Sequence, residues 1–111
     1  MTERTINIRQ PNLKLIQDGI KTIEVRVGYP SMKKITSGQT LRFVSGDDSC
    51  LTQVTDVVEY PTFEAMVTTE DITAIGGDTN RQELLAACRN IYPPEKEALG
   101  VLAIHLRVIN S

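Results

Sequence analysis

Thr5-Ile6-Asn7-Ile8-Arg9 alternates polar and apolar side chains, the period of a half-buried strand. The period then lengthens. Pro11 suits a first helical turn, Leu13, Ile16 and Ile20 fall at helical spacing, and Gly19 is a natural stop. Together they predict a short helix near 11–18. From Lys21 to Val27 the alternation returns, with Ile23, Val25 and Val27 on one face and Thr22, Glu24 and Arg26 on the other. Gly28-Tyr29-Pro30 ends that strand, and 31–37 reads as loop or one helical turn. Thr40–Val44 and Leu51–Tyr60 read as two further strands joined by a hairpin loop at Gly46-Asp47-Asp48-Ser49.

Pro61 breaks the long strand, and Thr62 can cap a helix carrying Phe63, Met66 and Val67. Residues 68–79 are polar and hold Gly76-Gly77, which predicts a mobile loop. Asn80 with Glu83 is a capping-box pattern ahead of an apolar stripe of Leu84, Leu85, Cys88 and Ile91. Tyr92-Pro93-Pro94 stops this helix, and Glu95–Leu99 can make one more turn. Val101–Val108 is the last strand, with Leu102, Ile104, Leu106 and Val108 inward and His105 and Arg107 outward. The order is β-α-β-β-β-α-α-β. Five strands on such short connections cannot all be parallel crossovers. The prediction is an α+β fold, a small, mostly antiparallel β-barrel of about five strands with flanking helices.

At 111 residues the chain fits one domain, 1–111, able to bury a core without metals or disulfides. It has no apolar run of the ~20 residues that span a bilayer, and Met1-Thr2-Glu3-Arg4 lacks the apolar region of a secretory signal. Cys50 and Cys88 match no metal spacing and read as buried free thiols, which suits a reducing, cytoplasmic setting. The net charge of −2 gives no global attraction for nucleic acid. Its distribution is uneven, however. Residues 1–42 carry eight Lys or Arg against three acids, and residues 43–111 carry four against eleven. A basic face is one outcome; a mixed surface is the other.

Candidate chemistry starts at Lys21-Thr22-Ile23-Glu24-Val25-Arg26. A hydroxyl, a carboxylate and a guanidinium in one row suit recognition of a polar ligand. Arg26 can hold a phosphate or carboxylate with its fork of donors, and Glu24 can accept from the amino group of a base. Strict alternation sends Lys21 to the other face, a weak assignment where the chain is still turning. The same row is also what the solvent face of any half-buried sheet shows.

The segment Gly-x-Lys-Thr-Ile-Glu-x-Arg at 19–26, followed by Ser-Gly-Gln-Thr-Leu-Arg-Phe at 37–43, resembles the ASCH (activating-signal-cointegrator homology) family. The likeness continues through Val57–Tyr60, Phe63, Asn90–Pro93 and Gly100–Ile104. It implies a PUA-like barrel with a cleft between the first helix and the barrel, whose floor would carry Lys21, Glu24 and Arg26; the binding hypothesis built on it has Glu24 and Arg26 read the ligand with Lys21 at the cleft mouth. It also implies RNA or a nucleoside-type ligand, bound by Lys21, Thr22, Glu24, Arg26 and Tyr92, with Tyr92 stacking on a base. No cofactor, metal or membrane partner is expected.

One branch of that family is an amidohydrolase of acetylcytidine, with the motif Lys-Thr-Ile-Thr and a distant Glu. Here Lys21 matches, Glu24 stands at the nucleophilic Thr position, and the distant Glu falls near Gly77. The alternative implied is therefore a small hydrolase of the amidohydrolase or ribonuclease kind, with Lys21 and Glu24 as catalytic residues. A carboxylate from 68–79 closing on the cleft would favour it. His105 is the single histidine, has no nucleophile-elbow motif to serve, and reads as solvent-facing.

Overall fold

The computed structural model describes residues 3–109; Met1 and Thr2, and with them the reading of a leaderless start, lie outside these. The chain runs β1 (Arg4–Asn7), α1 (Gln10–Gln17), β2 (Ile23–Val27), a 3-10 turn (Met32–Lys34), β3 (Thr40–Ser45), β4 (Asp48–Tyr60), α2 (Phe63–Thr69), α3 (Ile72–Gly76), α4 (Arg81–Ile91), α5 (Pro94–Glu97) and β5 (Val101–Val108). The five strands form one sheet in the order β1-β3-β4-β5-β2. All neighbours are antiparallel except β1 and β3. The sheet curls into a half-barrel flanked by helices, as the pattern predicts, and stays open between its two edge strands, β1 and β2.

Two local devices shape the curl. β3 and β4 join through a two-residue turn, shorter than the four-residue loop expected, with Gly46 at φ +59° in the first turn position. The 13-residue β4 then pairs with β3 through its first half and with β5 through its second. A register shift between Val54 and Asp56 leaves Thr55 as an extra residue, a bulge that bends the strand where it changes partner.

Both faces of β5 are covered. Leu102, Ile104 and Leu106 pack inside the curl with Leu13 and Ile16 of α1, Leu41, Phe43 and Val54. Val101 and Ala103 pack on the opposite face with Phe63, Met66 and Val67 of α2, Ile75 of α3 and Cys88 of α4. The one-sided alternation predicted for β5 is thus corrected: four consecutive residues, Val101–Ile104, are buried, and Val108 is exposed. A strand covered by helices on one side and by its own curled sheet on the other reads as a continuous apolar run.

The helix caps are local. Thr62 Oγ1 accepts from Ala65 N–H at 3.0 Å, and Asn80 Oδ1 accepts from Glu83 N–H at 2.9 Å. Glu97 of α5 accepts the orphan N–H of Phe63 at 2.8 Å, tying α5 to the start of α2. Residues 68–79 are not the mobile loop expected. Asp71 caps α3 by accepting from Thr73 N–H at 3.1 Å, and Ile75 is buried. Five residues are too few to display a helical period, and Gly76-Gly77 masks the one turn that is there.

Candidate functional site

Lys21 follows the end of α1. Gly19, at φ +76°, lets the chain reverse: its N–H donates to Ile16 O at 3.0 Å, and Ile20 N–H donates to Leu15 O at 3.0 Å. These two bonds form a Schellman cap. Lys21 N–H bonds the same Leu15 carbonyl at 3.0 Å, so Lys21 belongs to the cap and not to β2. The face rule for strands therefore does not apply to it. Its side chain turns to the Glu24 side, contrary to strict alternation. It is also buried, at 5% exposure, where a place at the cleft mouth was expected.

Three acceptors surround its ammonium: Ile75 O at 2.7 Å, Ile23 O at 2.9 Å and Glu24 Oε1 at 3.3 Å. Two of its three protons are in hydrogen bonds to the carbonyls, and the Glu24 carboxylate lies within ion-pair range. Lys21 thus pins the last turn of α3 to the start of β2. The other carboxylate oxygen of Glu24 accepts from Arg26 Nε at 2.6 Å. Arg26 Nη2 reaches on to Asn7 O at 2.9 Å, across the gap between the two edge strands. A chain of contacts therefore runs from α3 through Lys21, Glu24 and Arg26 to the end of β1, with Glu24 itself 6% exposed.

These residues line a cleft of about 450 Å³ whose walls are the ends of β1 and α3, one face of α4, the start of α1 and the edge of β2. Arg9 and Asn12 stand on one side, Thr79 and Glu83 on another, and Tyr92 at the end of α4. Three cations (Arg9, Lys21, Arg26) against two carboxylates (Glu24, Glu83) give the lining a net charge of +1. All three cations come from the basic first part of the chain. Tyr92 stacks against Phe63, with ring centroids 5.9 Å apart and planes at 25°. Burial pushes its hydroxyl pKa up, opposed by the nearby Arg26 cation.

Of the residues expected at the site, Lys21, Glu24, Arg26 and Tyr92 converge on this cleft; Thr22 does not. Thr22 is exposed and precedes β2. Its N–H donates to Ala74 O at 2.8 Å, so that donor is committed to α3. Ile91, expected in the buried stripe of α4, is 64% exposed and lines the cleft instead.

Sequence reading missed a second polar cluster. Tyr60 donates to Glu70 Oε2, and His105 Nε2 lies 3.0 Å from Glu70 Oε1. Burial and the Glu70 carboxylate push the Tyr60 hydroxyl up to about 12. His105 is therefore not simply solvent-facing. It ties β5 to the end of α2, a contact between residues 35 positions apart that no local pattern encodes.

Cys88 lines the cleft but is buried, and desolvation pushes its thiol up to about 11. We expect it to react with a disulfide reagent at pH 8 far more slowly in the folded than in the urea-unfolded protein, because the thiolate is the reactive form. The folded pKa is raised above the ordinary value of 9, so its stabilising contribution is complete below pH 9 and lost as pH rises through about 11. Equal thiol reactivity in the two states would contradict this environment.

A family model of the ASCH domain matches residues 6–110. The chain belongs to the ASCH domain family. Among solved structures, the hypothetical protein PH0355 superposes with a TM-score of 0.89 at 24% identity, covering 97% of this chain and all of that one. Protein PF0455 from Pyrococcus furiosus gives 0.80 at 25% identity, covering 99% of this chain and all of that one. An ASCH domain from Lactobacillus crispatus gives 0.70 at 17% identity, covering 96% of this chain and 79% of that one. No curated protein matches the sequence. The ASCH domain has a PUA-like fold, in keeping with the curled sheet and its helices. Among the described residues no helix is long and apolar enough to cross a membrane.

Proposed function

We propose that the ASCH domain binds RNA or a modified nucleoside or nucleotide in the cleft beside β2. The observation that carries this reading is the buried Lys21–Glu24–Arg26 ion-pair chain on a cleft with one net positive charge and a tyrosine in its wall. The arrangement favours a planar ligand with polar edges. Arg26 uses Nε and one Nη2 proton on protein, which leaves three of its five N–H donors for a ligand. Glu24 accepts from Arg26 on Oε2 and ion-pairs with Lys21 through Oε1, which leaves lone pairs for an exocyclic amine. Tyr92, stacked on Phe63, is a pre-oriented ring for a base, and the exposed Ile91 adds apolar surface beside it. Lys21 acts as a positioning residue, since it is buried, hydrogen-bonded to two carbonyls and ion-paired to Glu24. The free, buried Cys50 and Cys88 fit a protein that works in the reducing cytoplasm.

The alternative, a hydrolase using Lys21 and Glu24 as catalytic residues, has less support. A base must reach a proton of the substrate, and the Lys21 ammonium is enclosed by protein acceptors. No carboxylate from 68–79 lines the cleft among the described residues. At position 77 the backbone is at φ +73°, and a Cβ would lie 3.3 Å from Leu15, so a glutamate there would be strained.

The test is calorimetric titration of the protein with short single-stranded RNAs and nucleosides. Arg26→Ala is expected to weaken binding about 10- to 100-fold, the worth of a charge-assisted hydrogen bond, while the circular dichroism spectrum is retained. Unchanged affinity in a folded variant would overturn the reading. Turnover of an acylated cytidine or an RNA that disappears in Lys21→Met would favour the hydrolase.

A further inference from the structure

β2 is an edge strand, and its bonds to β5 fall on alternate residues. Gly28 N–H donates to Gly100 O at 2.9 Å, and Leu106 N–H donates to Thr22 O at 2.8 Å. The register between them pairs Glu24 with Ile104 and Arg26 with Leu102. Even-numbered residues of β2 therefore exchange bonds with β5. Odd-numbered ones turn their N–H and C=O to the open edge. Three residues do so. The Ile23 carbonyl is taken by Lys21 Nζ at 2.9 Å. The Val27 carbonyl is taken by Tyr29 N–H at 2.8 Å. Val25 stands between them on the cleft wall, half-buried, and among the described residues no protein group takes its N–H or its C=O.

We propose that the Val25 N–H and C=O read the donor–acceptor edge of a single nucleobase held in the cleft. The inference rests on the nucleobase-binding reading above and names the group that recognises the base. Half-buried backbone polar groups need partners. Val25 offers one donor and one acceptor side by side, and a nucleobase edge presents the complementary pair. The neighbouring chemistry agrees: open N–H groups of Arg26 follow in sequence, and the Tyr92 ring lines the same cleft. An extended peptide could also pair with an open strand edge, but strand addition uses successive outward residues. Here the carbonyls on either side of Val25 are already occupied. Val25 is the one of the three whose N–H and C=O both lack a protein partner among the described residues, and a paired donor and acceptor at a single residue suits a base better than a strand.

The test uses three nucleoside pairs: uridine with N3-methyluridine, cytidine with N4,N4-dimethylcytidine, and adenosine with N6,N6-dimethyladenosine. Binding is followed by amide chemical shifts of the whole protein. For a parent nucleoside that binds, the Val25 amide proton is expected to move downfield. Its methylated partner, which lacks the donor, is expected to bind about 10- to 100-fold more weakly. Equal binding of parent and methylated forms would overturn the role of Val25 while leaving nucleoside binding intact. No binding by any parent would remove the nucleobase reading and this inference with it. Joint shifts of the Ile23, Val25 and Val27 amides with an extended peptide would replace both with strand addition. Val25→Pro removes the edge N–H, at a position where edge strands tolerate proline, and also exchanges the valine side chain that packs on the second core. Folded Val25→Pro that binds a parent nucleoside as well as the native chain does would also overturn the proposal.

Discussion

Glu24→Gln is expected to cost about 3 kcal/mol of folding stability, the low end of what removing one member of a buried ion pair costs. Gln keeps the shape of Glu24, so packing is not the cause. The change leaves Lys21, at 5% exposure, with a neutral neighbour in place of the one carboxylate that pairs with it among the described residues. An amide oxygen can still accept from one cation, but the amide NH2 then faces the other, donor against donor. Arg26 limits the loss. Its side chain is 22% exposed and can turn part of its charge to water. Lys21 has no such freedom, because its protons hold Ile75 O and Ile23 O. For a domain of this size the expected midpoint drop exceeds about 10 °C. Urea unfolding of Glu24→Gln beside Glu95→Gln, an exposed carboxylate, makes the comparison. The control should change by less than about 0.5 kcal/mol. Similar small losses in both would mean that the three charges are not energetically linked.

That charge chain was half legible. The residue types and their spacing at 21–26 brought Lys21, Glu24 and Arg26 forward as one group. Their geometry was not, because it depends on partners far along the chain. Lys21 turns toward Glu24 since the Schellman cap of α1 holds it before the strand begins, and the carbonyl of Ile75, which also accepts from it, lies 54 residues away. α3 escaped for a related reason: its signal is one cap and one buried isoleucine, overshadowed by two glycines. Caps formed within three residues, at Thr62 and Asn80, were readable because sequence neighbours make them. The contacts of Glu70 with Tyr60 and His105 were not, since each half looks like ordinary surface by itself. The fold class followed more directly. Strand and helix periods survive wherever an element has one buried face, and they failed on β5, where both faces are covered.

Phe63→Ala tests whether core and cleft are coupled. The side chain is fully buried at the start of α2 and stacks on Tyr92. Truncating a buried phenylalanine to alanine costs about 3–5 kcal/mol through lost burial and the cavity left behind. The backbone anchor stays, since Glu97 bonds the Phe63 N–H and not its ring. Phe43→Ala is the matched control. That ring is equally buried but sits inside the curl, in the other core. Both variants should lose similar stability in urea. Only Phe63→Ala removes the ring behind Tyr92, so it alone should weaken nucleoside binding, by several-fold, at a temperature where both are folded. Phe63→Leu separates the two roles: it refills most of the volume but does not restore the aromatic stack. Recovery of stability without recovery of affinity is the expected result. If Phe43→Ala weakened binding as much as Phe63→Ala, loss of binding would track global stability, and Tyr92 would need no support from the core.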